Sequence, residues 1–189
     1  MRALEEKILK DGVILGNDIL VVGRFLNQNI DVSLLKEMVI DVKKHFNTHI
    51  DRVLTVEASG IPFATAVALE YGCDMIFAKK SLSSNLSGNI IKTTVKSYTR
   101  NKIFDLSINK DYVNRGERVL IVDDFLAEGN AALALLDLAK QAELEVVGFS
   151  FCVEKEFQNG GKKIRDLGYD CYSLASIKKM NKDEIIFNK

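Results

Sequence analysis

Two adjacent aspartates, Asp123 and Asp124, end the apolar run "RVLIVDD", and the small-residue stretch "AEGNA" (residues 127–131) follows before a helical pattern resumes. Neighbouring carboxylates can accept hydrogen bonds from a vicinal diol or help to hold a divalent cation. A helix that opens at "AEGNA" has unpaired backbone N–H groups at its start, and these, with the helix dipole, favour a phosphate. Gly129 permits the backbone conformation that wraps such a loop. A diol site beside a phosphate site describes a ribose 5-phosphate.

For these residues to meet, the chain must build a sheet with its strand ends in one crevice. "SLLKEMVIDVKKHF" places Leu34, Leu35, Met38, Val39, Val42 and Phe46 on one helical face. "RVLTVEASG" reads as a strand running into a small-residue turn. "IPFATAVALEYG" reads as a helix with Pro62 in its first turn and Gly72 closing it. "DMIFAKK" is a strand ending on two lysines. Polar residues 81–89 suggest a mobile loop, and "IIKTTVKSYT" and "KIFDLSI" are strands that pair. After "RVLIVDD" come the helix "NAALALLDLAKQA", the buried strand "EVVGFSFCVEK", a short helix "GKKIRDLG" and a late strand "YDCYSLASI". The alternation predicts an α/β fold with a mostly parallel central sheet flanked by helices. In such sheets, ligands sit beyond the carboxyl ends of the strands.

Bulk properties narrow the function further. The 189 residues suit one domain, and 26 basic against 26 acidic side chains leave no net charge to attract nucleic acid or an anionic membrane. The stretch "AALALLDLA" is too short to span a bilayer and contains Asp137. Cys73, Cys152 and Cys171 are widely spaced and odd in number, which predicts free thiols in a reducing cytoplasm. His45 and His49 have a spacing that suits a metal on a helix, but no third ligand accompanies them.

The acid pair with its glycine loop resembles the signature of the type I phosphoribosyltransferases. The likeness extends over nearly the whole chain, through "DGVILGNDIL…FLNQNID", "EASGI", "IVDDFLAEGNAA", "VEKEFQNG" and "LGYDCYSLASI", and is strongest toward the bacterial members that use xanthine. It implies transfer of the 5-phosphoribosyl group from 5-phosphoribosyl 1-diphosphate (PRPP) to xanthine in purine salvage, with Mg²⁺ accompanying PRPP. Asp123 and Asp124 would meet the ribose hydroxyls, and Ala127, Glu128, Gly129, Asn130 and Ala131 would cradle the 5-phosphate. Backbone groups of Ala58, Ser59 and Gly60, with Lys79, would meet the diphosphate. Leu20, Asn27 and Lys155 would contact xanthine. The resemblance also implies a homodimer and a single domain, its hood formed by residues of about 1–32 and part of 156–189 over a core of about 33–155.

Two departures from the family pattern stand out. Many members carry Thr-Gly in the phosphate loop, whereas Glu128 precedes the glycine here. A carboxylate facing a dianionic phosphate is unfavourable, so its side chain is expected to point away while its N–H binds. Ala127 stands where hypoxanthine- and guanine-using enzymes often have Asp, and "LVVGRF" lacks an expected Lys and Asp. The alternatives are the same chemistry on another purine, or a non-catalytic PRPP sensor of the same fold.

Overall fold

The computed structural model describes residues 1–80, 88–96 and 103–188. Helix α1 (Arg2–Asp11) opens the chain and buries Leu4 and Ile8, and a hairpin of β1 (Val13–Leu15) and β2 (Ile19–Val21) follows. A π-helical turn, Gly23–Asn27, then buries Phe25 and Leu26. Helix α2 (Val32–His45) is capped by the Asp31 side chain, which accepts from the Leu34 N–H at 3.1 Å, and its last turn carries Lys43, Lys44 and His45. Cap and basic turn both oppose the exposed ends of the helix dipole.

Strand β3 (Arg52–Val56) leads to α3 (Ile61–Tyr71), which Gly72 ends in a left-handed conformation, and to β4 (Asp74–Ala78). Strands β5 (Ile90–Lys96) and β6 (Ile103–Asn109) form an antiparallel ladder, as their alternating sequences predict. Next come β7 (Arg118–Leu126), α4 (Asn130–Gln141), β8 (Glu145–Lys155) and α5 (Gly160–Asp166). Strands β9 (Cys171–Asn181) and β10 (Glu184–Phe187) complete the described chain.

The central sheet has the order β10-β9-β8-β7-β3-β4, parallel except for the β10–β9 edge pair. The expected α/β architecture is borne out. Strand β7 is buried on both sides: Leu120 and Val122 join one apolar cluster with α2 and α3, and Val119 and Ile121 join another with α4. That double burial is why "VLIV" reads as an unbroken apolar run rather than an alternating one.

Residues 171–187 add two strands to this sheet, and the Met1 amino group donates to the Leu174 carbonyl on β9. Of the loop expected at 81–89, residues 81–87 lie outside the described residues. Cys73, Cys152 and Cys171 are free thiols. Among the described residues, no helix is long and apolar enough to cross a membrane.

Candidate active site

Parallel strands aligned by register bring the ends of β3, β7 and β8 into one crevice, and the acid pair lies there. Asp123 and Asp124 are both buried. Each Asp124 oxygen has one donor and keeps room for a second: Oδ1 accepts from Ser59 Oγ at 3.0 Å and Oδ2 from Asn27 Nδ2 at 2.8 Å. Asp123 receives the Asp124 backbone N–H at 2.9 Å. Burial first, then the neighbouring Asp124 charge, push the Asp123 carboxyl well above its usual range. The hydrogen bond from the Asp124 N–H and the charge of Lys80 pull the other way without cancelling the rise. This crevice therefore holds hydrogen-bond acceptors with little compensating positive charge, an arrangement suited to hydroxyl donors.

The turn after β3 packs directly beneath the pair. A Cβ at Gly60 would collide with Asp123 Oδ1 and Thr55 Oγ1, so only glycine allows this approach. Ala58 and Ser59 are exposed, and Ser59 reaches Asp124 with its side-chain hydroxyl. Glu57 is turned away, its Oε1 accepting from the Lys80 N–H at 2.6 Å.

The loop after β7 lines a cavity of about 180 Å³ formed by Phe125 to Ala132 with Val95 and Phe104. Ala127, Glu128, Gly129, Asn130 and Ala131 all belong to that lining. Gly129 has φ 85° and opens α4. Its α-carbon region packs against Gly160, whose N–H donates to the Ala127 carbonyl at 3.0 Å. The Glu128 side chain is held within the loop by a neighbour. Its Oε2 accepts from Asn130 Nδ2 at 3.1 Å, and the short polar amide, one residue past the glycine, draws the carboxylate back over the loop.

The remaining sequence candidates are placed unequally. Asn27 reaches the acids from the π-helical turn. Lys155, half-buried at the end of β8, donates to the Asp18 carbonyl at 2.5 Å, and its Nζ lies 5.8 Å from the Phe125 ring centre. Burial pushes its pKa down, with the Asp18 charge opposing. Leu20 is 6% exposed in the core beneath the hairpin, so its main chain, not its side chain, is what a ligand could meet. Lys79 bridges to Ser107 and lines a different cavity of about 240 Å³ with Met75, Phe77 and Tyr112. The neighbouring Lys80 is the lysine whose charge bears on Asp123, and its Nζ lies 6.0 Å from the ring centre of Phe104 at the loop cavity.

Sequence reasoning passed over Lys80, Phe125 and Gly160. Strand alternation puts consecutive lysines on opposite faces, a signal that could have separated Lys80 from Lys79.

Comparison with known proteins bears on the family and the fold. Residues 22–185 match the model of the phosphoribosyl transferase domain. The chain is 43% identical over 188 residues to xanthine phosphoribosyltransferase of Clostridium novyi, covering 99% of each chain. It is 42% identical over 189 residues to the Clostridioides difficile enzyme of the same name, covering 99% of this chain and 100% of that one. In fold it is similar to adenine phosphoribosyltransferase of Saccharomyces cerevisiae, with a TM-score of 0.74 at 24% identity over 92% of this chain and 99% of that one. The chain belongs to the phosphoribosyltransferase family, alongside the bacterial xanthine phosphoribosyltransferases.

Proposed function

We propose that the chain transfers the 5-phosphoribosyl group of PRPP to xanthine, yielding xanthosine 5′-phosphate and diphosphate in purine salvage. The observation that carries this reading is the buried Asp123–Asp124 pair at the end of β7, set against the glycine loop that opens α4. Ribose hydroxyls would donate to the acids, and the backbone of Ala127, Glu128, Gly129, Asn130 and Ala131 would hold the 5-phosphate. Ala58, Ser59 and Gly60 would offer main-chain groups to the diphosphate. Lys80 is better aimed than Lys79 to add positive charge there.

For the base, Lys155 and Phe125 supply a cation and an aromatic wall at the end of the neighbouring strands. A half-buried ammonium is costly, and an anionic base would recover part of that cost. Xanthine is a comparatively acidic purine, so Lys155 favours its anion and reduces the need for a strong general base. Asn27 and the main chain of Leu20 would complete the rim. Because Asn27 touches Asp124, base and sugar would be held in line by one connected set of side chains.

Mg²⁺ would arrive with PRPP rather than in a cage of protein ligands. The donor set fits this: each Asp124 oxygen already has one donor, and no group of three His, Cys, Asp or Glu among the described residues is arranged to hold an ion. When bound, the ion supplies charge neutralisation of the leaving diphosphate. The hood would comprise about 1–32 with part of 156–189 over the core of about 33–155, acting in a cytoplasmic homodimer. Exposed Val13, Leu15, Ile19 and Val21 on one face of the hairpin support a partner surface there.

The test is diphosphate release from PRPP and Mg²⁺ with xanthine, guanine, hypoxanthine and adenine in competition. Xanthine is expected to dominate. A preference for another purine would reassign the base, and binding of PRPP without turnover would remove the enzymatic reading.

A further inference from the structure

We propose that the Glu128 carboxylate is a built-in competitor for the loop at 127–131: it occupies the Asn130 side-chain amide until a phosphate ester displaces it. The inference deepens the reading of this loop as the 5-phosphate site and rests on it.

Three observations carry it. First, Glu128 and Asn130 both line the loop cavity, and the Glu128 carboxylate engages this neighbour, its Oε2 accepting from Asn130 Nδ2 at 3.1 Å. Second, Asn130 is the first residue of α4, so the amide that Glu128 holds stands where the helix N-terminus would present donors to an anion. Third, the loop backbone is not free to retreat. Gly160 N–H fixes the Ala127 carbonyl at 3.0 Å, Lys163 Nζ fixes the Glu128 carbonyl at 2.9 Å, and a Cβ on Gly129 would lie 3.1 Å from Gly160 Cα. A pinned main chain leaves rotation of the Glu128 side chain as the way to admit a second anion.

The carboxylate imposes a repulsive term on every ligand with a 5-phosphate, the activated sugar and the nucleotide product alike. Free diphosphate, bound near Ser59 and Gly60, would feel it less. Glu128 thus weakens the grip on substrate and shortens the stay of product together. A glutamate that merely braced the loop would behave differently, because glutamine keeps an acceptor for Asn130 and would leave phosphate affinity unchanged.

Glu128→Gln separates the two. Calorimetric titration at low ionic strength with PRPP, with ribose 5-phosphate and with diphosphate is the experiment. Glu128→Gln should tighten the first two about threefold to tenfold, the scale of one charge interaction at a partly exposed site, and change diphosphate by less than about twofold. Unchanged or weaker binding of both phosphate esters overturns the inference. Ala131→Asp, which adds a charge to the same lining, should weaken both esters about tenfold or more; if that variant does not fold, Ala131→Leu fills the cavity instead. Should these variants leave ester binding untouched, the loop reading itself fails. Should they weaken it while Glu128→Gln changes nothing, only the competitor idea is lost.

Discussion

Two carboxylates buried near the ends of neighbouring strands are treated oppositely by this fold. Glu154 on β8 is 3% exposed, yet Arg165 Nη2 meets its Oε1 at 2.8 Å and Ser173 Oγ donates to its Oε2 at 2.8 Å. Asp123 on β7 is 8% exposed and has a like charge beside it, with its carboxyl displaced well upward. Glu154 is a finished ion pair that braces α5 against the sheet. Asp123 is a strained acceptor whose missing donors a ligand would supply. Burial alone says little about function; the incompleteness of the partners is what marks a site.

The sharpest way to break this contrast is to neutralise each member. Asp123→Asn with Asp124→Asn should lower diphosphate release with xanthine by about a thousandfold or more, the scale seen when preorganised polar groups are lost from an active site. Folding should survive, because two buried like charges disappear. Turnover within tenfold of the parent would show that the pair is not the sugar site.

Arg165→Met should act the other way. It strands Glu154 in the core and should cost about 3 kcal/mol of stability, read from the denaturant midpoint. Activity per folded molecule should remain near that of the parent. A large loss of activity without loss of stability would mean that the ion pair belongs to the site.

The smallest effect lies in pH. Raising the native pKa of Asp123 above its ordinary 3.8 makes the folded state bind the proton more tightly than the unfolded chain. Its contribution to stability is therefore complete below that ordinary value and is lost as pH rises through the folded pKa. Subtracting the stability profile of Asp123→Asn from that of the parent should give a curve that falls with rising pH. A flat or rising difference would mean that Asp124 or Lys80 compensates the charge.

Much of the framework could be read from residue order because it depends on local pattern. Strands β3, β7 and β8 are apolar runs with polar ends, and α2, α3 and α4 carry periodic apolar faces or clear end signals. Helix α1 was missed because only Leu4 and Ile8 of its ten residues are buried, amid charges. The β1–β2 hairpin has three-residue strands, too short to show a period, and only the connecting Gly16-Asn17-Asp18 carries a turn signal.

The site divides in the same way. The acid pair and the glycine loop are contiguous, so spacing exposed them. Asn27 reaches Asp124 across 97 positions, and nothing local in "RFLNQN" announces that bond. The difference in placement between Lys79 and Lys80 was hidden for a related reason. The strand ends at Ala78, and the next residue is drawn into a bridge with Ser107 and lines another cavity.

The contact between Gly129 and Gly160 carries a consequence for variation. A methyl at 160 would lie 2.8 Å from the Gly129 nitrogen and 2.9 Å from Leu126 Cδ1, while one at 129 would press on Gly160. Neither position can be enlarged to accommodate a change at the other, so the two must be inherited as a pair. A lineage exploring new loops after β7 would find its options limited by a residue at the start of α5, far along the chain.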